Sequence, residues 1–424
     1  MGKGENMTYC QEKLSTKSIV NLFYKGCKDE ELIGLEYERL PINKFDRTAV
    51  SYYGEFGICE MLKKIAKENN WDYILDGDEI IGLKKIHDTV TLEPGAQIEL
   101  SIEPQKTVHD LKSKIDEINK DLMTVFDKYG IELCNYGVYP KTTYKNIRII
   151  PKKRYKLMAN YLWGILSDVM MRETAGIQIG IDYKSEEDAF LKFNLANKLS
   201  PFITAIYANS KIRGGVDTGY RSFRALSWLN TDSERCGIAT KFKPDMTFDN
   251  YVNTVLEVPV IYIVRNGKYI HLNGNINFKK FMNEGYMGYE ADIEDFKLHA
   301  NMFFPEIRLR NFIEIRNHDC VSEKYLYSIP SLYKGIFYSY DAMSAAYDLL
   351  KNFTGNDIAE FRYNVPRLAL NTMVKGYSAS DITREILKIA KNSLSLQKDD
   401  DGEYLNSIIE LNSKGMCPCD ETNL

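Results

Sequence analysis

The chain has 424 residues, 44% of them hydrophobic, enough to bury a large core in one large α/β domain or in two to three smaller ones. Its 55 Lys and Arg against 59 Asp and Glu leave a formal charge of -4, without the basic excess of a general nucleic-acid binder. No stretch reaches the apolar length of a membrane span, and Met1-Gly2-Lys3-Gly4-Glu5-Asn6 lacks a signal-peptide core, so a cytoplasmic protein with neither nucleic-acid nor membrane partners is expected.

The first informative stretch is Gly34-Leu35-Glu36-Tyr37-Glu38, which alternates apolar and acidic residues. On a strand this period puts Glu36 and Glu38 on one face, with Leu35 and Tyr37 behind. From Glu55 to Asn70 the residues Ile58, Met61, Leu62, Ile65 and Ala66 fall at helical spacing, and Trp71-Asp72-Tyr73 opens a run of short strands. Turn signals at Asp76-Gly77-Asp78 and Glu93-Pro94-Gly95 make that run a meander. It ends in a second alternating stretch, Ala96-Gln97-Ile98-Glu99-Leu100, where Gln97 and Glu99 share a face. Thr107, with Asp110 as capping partner, opens a packing helix through Leu111, Ile115, Ile118, Leu122 and Val125 that Gly130 stops.

Lys152-Lys153-Arg154 reads as a solvated helix entry, followed by one helix from Lys156 to about Arg172. A third alternating stretch, Gln178-Ile179-Gly180-Ile181-Asp182, precedes a helix capped by Ser185 and Asp188 that carries Phe190, Phe193, Leu195 and Leu199 toward Pro201. Arg221, Arg224 and Arg235 lie in one span with Trp228 and Asp232. Between residues 260–265 and 268–272, Asn266-Gly267 is the favoured dipeptide of a tight type I′ hairpin. The fourth alternating stretch is Phe312-Ile313-Glu314-Ile315-Arg316. Beyond about residue 340, a helical segment from Ser344 to Leu350 and a polar tail read as packing helices with a frayed end. The eight cysteines are mostly dispersed and read as reduced thiols; Cys417-Pro418-Cys419 lacks the second Cys/His pair of a complete zinc site.

Helices and hairpins mix without regular βαβ units, which predicts an α+β fold with an antiparallel sheet backed by helices. A single E-x-E strand is most often the wet face of a sheet, but four such stretches together predict a shared acidic pocket. Crowded carboxylates raise one another's pKa unless a cation neutralises them, and carboxylate and amide oxygens suit Mg2+, which in turn holds nucleotide phosphates. There is no G-x-x-x-x-G-K-S/T loop, and Arg213-Gly214-Gly215 is too short for a dinucleotide fingerprint. Metal and arginine forks must then hold any phosphates.

Taken in order, Gly34-x-Glu36-x-Glu38, the string from Glu93 to Ser101, Arg224 with Trp228, Thr231, Asp232 and Arg235, Tyr262-x-x-Arg265-Asn266-Gly267-x-Tyr269, and Glu314-Ile315-Arg316 resemble glutamate-cysteine ligase of the plant and proteobacterial type, over about residues 30 to 340. The resemblance implies a glutamine-synthetase-like fold, in which a curved, mainly antiparallel sheet forms a funnel covered by helices. It further implies one large catalytic domain over 1–424, with an N-terminal segment 1–29 and a C-terminal helical segment from about 341. The implied reaction joins the γ-carboxylate of L-glutamate to the amine of L-cysteine through a γ-glutamyl phosphate, with ATP as co-substrate and two or more Mg2+ ions.

By this resemblance Glu36, Glu38, Glu93, Gln97, Glu99 and Glu314 surround the Mg2+ ions, and Arg316 with Glu314 is catalytic, Arg316 touching the transferring phosphoryl. Arg224, Arg235 and Arg265 would serve ATP phosphates or a substrate carboxylate, Tyr262 would line the acceptor pocket, and Trp228 would be core or substrate wall. The chain departs from the family's usual Gly-Thr-Glu, Pro-Gly-Gly-Gln and Gln-Val-Asn at Leu35, Ala96 and Gly180, and has Leu226 where a histidine is frequent. The metal carboxylates survive these changes; a related ligase with another amine acceptor and a non-catalytic nucleotide- or amino-acid-binding paralogue stand as alternatives. Monomer and homodimer are both open.

Overall fold

The structure, a computed structural model, describes residues 13–237 and 245–422; Cys10 and the first twelve residues of the expected 1–29 segment lie outside them. Among the described residues, nine strands form one sheet: β1 (Ile33–Asn43), β2 (Asp72–Asp76), β3 (Glu79–Lys85), β4 (Asp88–Leu92), β5 (Ile98–Gln105), β6 (Ile131–Cys134), β7 (Gly176–Ile181), β8 (Ile307–Leu309) and β9 (Ile313–Asp319). Their order is β8-β9-β7-β1-β5-β4-β3-β2, with β6 also on β1, and every neighbouring pair is antiparallel. Register then collects the acids. Glu38 faces Glu99, Glu36 faces Gln178, and Glu314 faces Gly180, and residues directly opposite one another share a face.

Alternation sends Leu35, Tyr37, Leu100, Ile177, Ile179, Ile313 and Ile315 the other way, into a continuous core that runs from Ile19 to Cys419. Each such side chain, once fully buried, stabilises the fold by roughly 1.5–3 kcal/mol. Helix α1 (Thr16–Tyr24) was not anticipated; α2 (Ile58–Asn69) follows the predicted stripe, and α3 (Val108–Phe126) follows its stripe and cap, with Thr107 accepting from Asp110 N and Gly130 at φ 65° ending the α3 region.

Four local expectations differ from the structure. The helix expected over 156–172 is two, α4 (Lys153–Tyr161) and α5 (Ser167–Glu173). The break lies at Gly164, where a Cβ would come within 2.2 Å of Asn230 O; the chain leaves the helix so that its backbone can lie against that of residues 230–231. The basic run at the start of α4 is not wholly solvated, for only Lys153 is exposed. Helix α6 (Glu186–Tyr207) does not stop near Pro201 but carries it inside, where residues 199–207 are all buried and packing outweighs the lost backbone bond. The C-terminal segment is not frayed over its described residues, which end at 422. Cys419 N donates to Ala208 O at 3.0 Å, Asp420 pairs with Arg221, and Glu421 pairs with Lys324 at 2.9 Å.

The hairpin forms as expected, Tyr262–Arg265 against Lys268–His271 with Asn266 and Gly267 at φ 50° and 71°, but as a separate two-stranded sheet. No helix among the described residues is long and apolar enough to cross a membrane.

Candidate active site

The acidic face of the sheet floors a cavity of about 280 Å3. Glu36 and Glu38 reach it from β1, Glu99 from β5, Glu314 from β9, and Glu93 and Gln97 from the turn before β5. Arg224 and Trp228 enter from one face of helix α7 (Phe223–Leu229), four residues apart, and Arg316 from β9. A second cavity of about 290 Å3 lies at the Gly34–Gly180 end of the same sheet and shares Glu36, Gln178 and Glu314 with the first.

The carboxylates are withdrawn from water and crowd one another. Glu38 accepts from Gly176 N at 2.5 Å and from Gln178 Nε2 at 3.0 Å; Glu93 accepts from Tyr155 OH at 3.0 Å, and Glu99 from Thr91 Oγ1 at 2.6 Å. Burial and then the Glu314 charge push Glu36 up to about 7. Burial pushes Glu38 to about 7 against the pull of Arg224, and burial with Glu36 and Glu93 pushes Glu99 to about 8. A set of hard oxygen donors whose charges oppose one another fits divalent cations of the Mg2+ kind.

Glu314 is in a different state. Burial alone would raise it, but the charges of Arg308 and Arg316 hold it well below the usual carboxylate range. Arg308 donates to it at 2.6 and 3.0 Å, Arg310 at 3.2 Å and Arg316 at 3.3 Å. Arg316 also donates to Gln178 Oε1 at 2.5 Å, so its guanidinium is fixed between β9 and β7. Gln97 is likewise committed: Oε1 accepts from Gly95 N at 2.7 Å, and Nε2 donates to Met171 O and Thr174 O at 3.2 and 2.9 Å. It ties the turn, where Ala96 adopts a φ of 68°, to the end of α5.

Two expected site residues lie elsewhere. Arg235 lines neither cavity; it is fully buried and donates to Asp232, Met302 O, Tyr161 OH and Pro259 O. Arg265 grips Asp295 through two bonds of 2.6 Å and also donates to Glu290 O, so it braces the hairpin against helix Ile293–Asn301. Of the divergent positions, Gly180 borders the second cavity, and Leu226 lines neither.

Arg154, Tyr155, Arg308 and Arg310 line the first cavity without having been anticipated. The signal for the last pair was present, since Ile307-Arg308-Leu309-Arg310 alternates as the acid strands do. Among the described residues, four buried polar atoms without a hydrogen-bond partner belong to residues of this cavity: Arg154 Nε, Arg224 Nε, Trp228 Nε1 and Tyr262 OH. Buried polar groups are nearly always satisfied, so four open ones in one hollow mark a ligand site.

The helix-backed antiparallel sheet that carries these acids and guanidinium groups is shared with solved structures of known proteins. The chain superposes on the crystal structure of glutamate-cysteine ligase from Francisella tularensis in complex with AMP with a TM-score of 0.58 at 11% identity, covering 93% of this chain and 84% of that one. For a bifunctional glutathione synthetase from Pasteurella multocida the TM-score is 0.51, over 96% of this chain and 50% of that one. The chain belongs to glutamate-cysteine ligase family 2, whose family model matches residues 32–422. Among its relatives, the chloroplastic glutamate-cysteine ligase of Nicotiana tabacum is 31% identical over 425 residues, covering 98% of this chain and 81% of that protein. The chloroplastic enzyme of Arabidopsis thaliana is 30% identical over 426 residues, with the same coverage of 98% and 81%.

Proposed function

We propose that the chain is an ATP-dependent ligase that joins the γ-carboxylate of L-glutamate to the amine of L-cysteine, releasing γ-glutamylcysteine, ADP and phosphate. The observation that carries this is the single cavity in which Glu36, Glu38, Glu93 and Glu99 face a guanidinium cluster, in a chain matched to its family over residues 32–422. A carboxylate is a poor acyl donor at neutral pH. Its oxygen takes the γ-phosphoryl of ATP, ADP leaves, the acceptor nitrogen attacks the acyl carbon, and phosphate departs.

The protein's part is alignment and charge stabilisation. Glu36, Glu38, Glu93 and Glu99 would hold two or more Mg2+ ions, which when bound supply positive charge beside the phosphate oxygens. Glu314 takes the other part: by gathering three arginines it presents Arg316 to the transferring phosphoryl in one fixed pose. In this reading the sheet is the wall of a funnel, with nucleotide on the Gly34–Gly180 side and amino acids on the other; two cavities that share Glu36, Gln178 and Glu314 support it. Gln97, Arg235 and Arg265 act as positioning residues, each bound to backbone or to a carboxylate outside the reacting groups. The whole chain is read as one catalytic domain; the plant relatives named above are chloroplastic.

An amine screen tests the function. Purified protein with ATP, Mg2+ and glutamate should release ADP much faster when cysteine is added, with the γ-linked dipeptide seen by mass spectrometry. Acceleration by a different amine instead would reassign the acceptor, and no ADP with any amine would leave a binding protein. Arg316→Lys, which keeps the charge but loses the fork, should lower kcat more than it raises KM.

A further inference from the structure

We propose that the Cys417 and Cys419 thiolates and the Asp420 carboxylate bind one divalent cation of the zinc kind, at a site outside the two cavities of the candidate active site. The site stands apart from the ligase reading. Spacing alone leaves Cys417-Pro418-Cys419 two ligands short of a closed zinc site. Folding brings a third: the turn over Pro418–Glu421 carries Asp420 back onto the thiols, and the ligand atoms of the three residues fall within 4.8 Å of one another.

The distances suit a tetrahedral set. Cys417 Sγ lies 3.4 Å from Cys419 Sγ and 3.4 Å from Asp420 Oδ2. Metal–sulfur bonds of about 2.3 Å and metal–oxygen bonds of about 2.0–2.2 Å put the donors of a tetrahedral zinc site roughly 3.5–3.8 Å apart. Two sulfurs with one oxygen favour Zn2+ over the Mg2+ class that the all-oxygen acidic cavity fits. Binding forms two metal–sulfur bonds and one metal–oxygen bond, and the two thiol protons leave to solvent. The fourth place is open to water.

Arg221 completes the surroundings. Its Nη1 pairs with Asp420 Oδ1 and lies 3.8 Å from each sulfur, which holds the carboxylate by one oxygen and leaves Oδ2, beside Cys417, for the cation. Outer partners of this kind orient a ligand and tune the metal. The charges also close: two thiolates and a carboxylate are balanced by a divalent cation and the guanidinium together. A disulfide is the competing use of two thiols in contact, but Cys417 and Cys419 are 1% and 0% exposed, shut off from exchange with a dissolved disulfide, and that bond gives Asp420 no part. The Asp420 and Arg221 side chains, 19% and 31% exposed, give a small cation its way in. Arg221 directly precedes Ser222, the cap of α7, so a filled site fastens the C-terminal turn to the helix that carries Arg224 and Trp228.

The test titrates the reduced full chain with Co2+, a spectroscopic stand-in for Zn2+, in excess Mg2+ so that the acidic cavity is already served. One equivalent should give a thiolate-to-metal charge-transfer band, which carboxylates cannot produce, and Zn2+ should abolish that band and raise the melting temperature. Both effects should vanish in Cys417→Ser/Cys419→Ser. Arg221→Gln should keep the band at an affinity about 10- to 100-fold weaker. Asp420→Asn, which loses a ligand, should weaken binding by at least as much, and it carries the test if the double variant does not fold. A wild type with no band at a full count of reduced thiols, a band unchanged in the double variant or in Asp420→Asn, or the loss of two thiols to a disulfide in the presence of reductant would overturn the site.

Discussion

Gly176 occupies the first position of β7 because Arg224 lies across it: a Cβ there would sit 2.3 Å from Nη2 and 2.5 Å from the guanidinium carbon. The obstruction is the far end of a flexible side chain, so Gly176→Ala should displace the guanidinium rather than unfold the sheet. We expect a fall in kcat/KM of roughly 10- to 100-fold with little change in melting temperature; a large loss of stability with normal kinetics in the folded fraction would remove Arg224 from the active centre. His318, which pairs with Ile177 beside Gly176 near the end of β9, bears on stability instead. Its Nδ1 meets Ile177 O at 2.9 Å and its Nε2 meets Tyr333 OH at 2.9 Å, the pattern of a neutral ring donating at Nδ1 and accepting at Nε2. Burial, reinforced by the Arg224 charge, pulls its pKa down to about 3 from an ordinary 6.5. The unfolded chain therefore binds the proton first. Stability from this ring is complete above pH 6.5 and drains as pH falls toward 3, by roughly 1.4 kcal/mol per pH unit. His318→Gln lacks this dependence, so the gap in unfolding free energy between wild type and variant should shrink by about 2 kcal/mol between pH 7 and pH 5; a constant gap would mean that the imidazole is charged in the fold.

Elements carried by a strong local period were legible in the sequence. The alternation in β1, β5 and β9 needed only the pleat, and register did the rest, bringing Glu38 opposite Glu99. What escaped was set by distant contacts. Gly164 breaks a helix because of Asn230, 66 positions away in the chain; Arg235 leaves the site because Met302 O and Pro259 O hold it together with the nearby Asp232, and Arg265 because Asp295 holds it. The basic run at α4 looked solvated because nothing local tells that Tyr155 will be buried against Glu93. The C-terminal turn, residues 418–421, misled for the same reason: a polar tail looks frayed until Arg221 and Ala208 are seen to receive it. Arg221 directly precedes Ser222, whose hydroxyl caps α7 by accepting from Ala225 N and donates to Asp319 at 2.8 Å. Ending the chain after Met416 should thus cost about 2–4 kcal/mol through lost burial of Cys417 and Cys419 and an unpaired Arg221. The truncated protein should also raise the KM of glutamate through a loosened α7. Unchanged melting and kinetics would show that the turn only decorates the surface.

At the scale of the whole molecule, much of the buried charge gathers in the first cavity, which encloses five carboxylates and five guanidinium groups among its described lining residues. The charges balance in number but not in place. Glu314 takes three of the arginines, and burial, added to by the neighbouring carboxylates, pushes Glu36, Glu38 and Glu99 all upward. A free ATP tetra-anion entering here would meet these carboxylates unshielded, whereas metal ions alone would add charge without using the arginines. Nucleotide and metal together add little net charge and oppose each local excess, so their binding should be strongly coupled. We expect ATP with EDTA, or Mg2+ alone, to move the melting temperature little, and both at about a hundred times the dissociation constant to stabilise by ~2.7 kcal/mol. For a chain of this size that is a rise of about 3 °C. Glu99→Gln should reduce the joint shift more than it changes the melting temperature of the ligand-free protein, because it removes one repelling charge from the empty cavity and one oxygen ligand from the filled one. An equal shift from ATP in EDTA would show that the arginines bind the nucleotide unaided and that the acids of β1 and β5 serve another purpose.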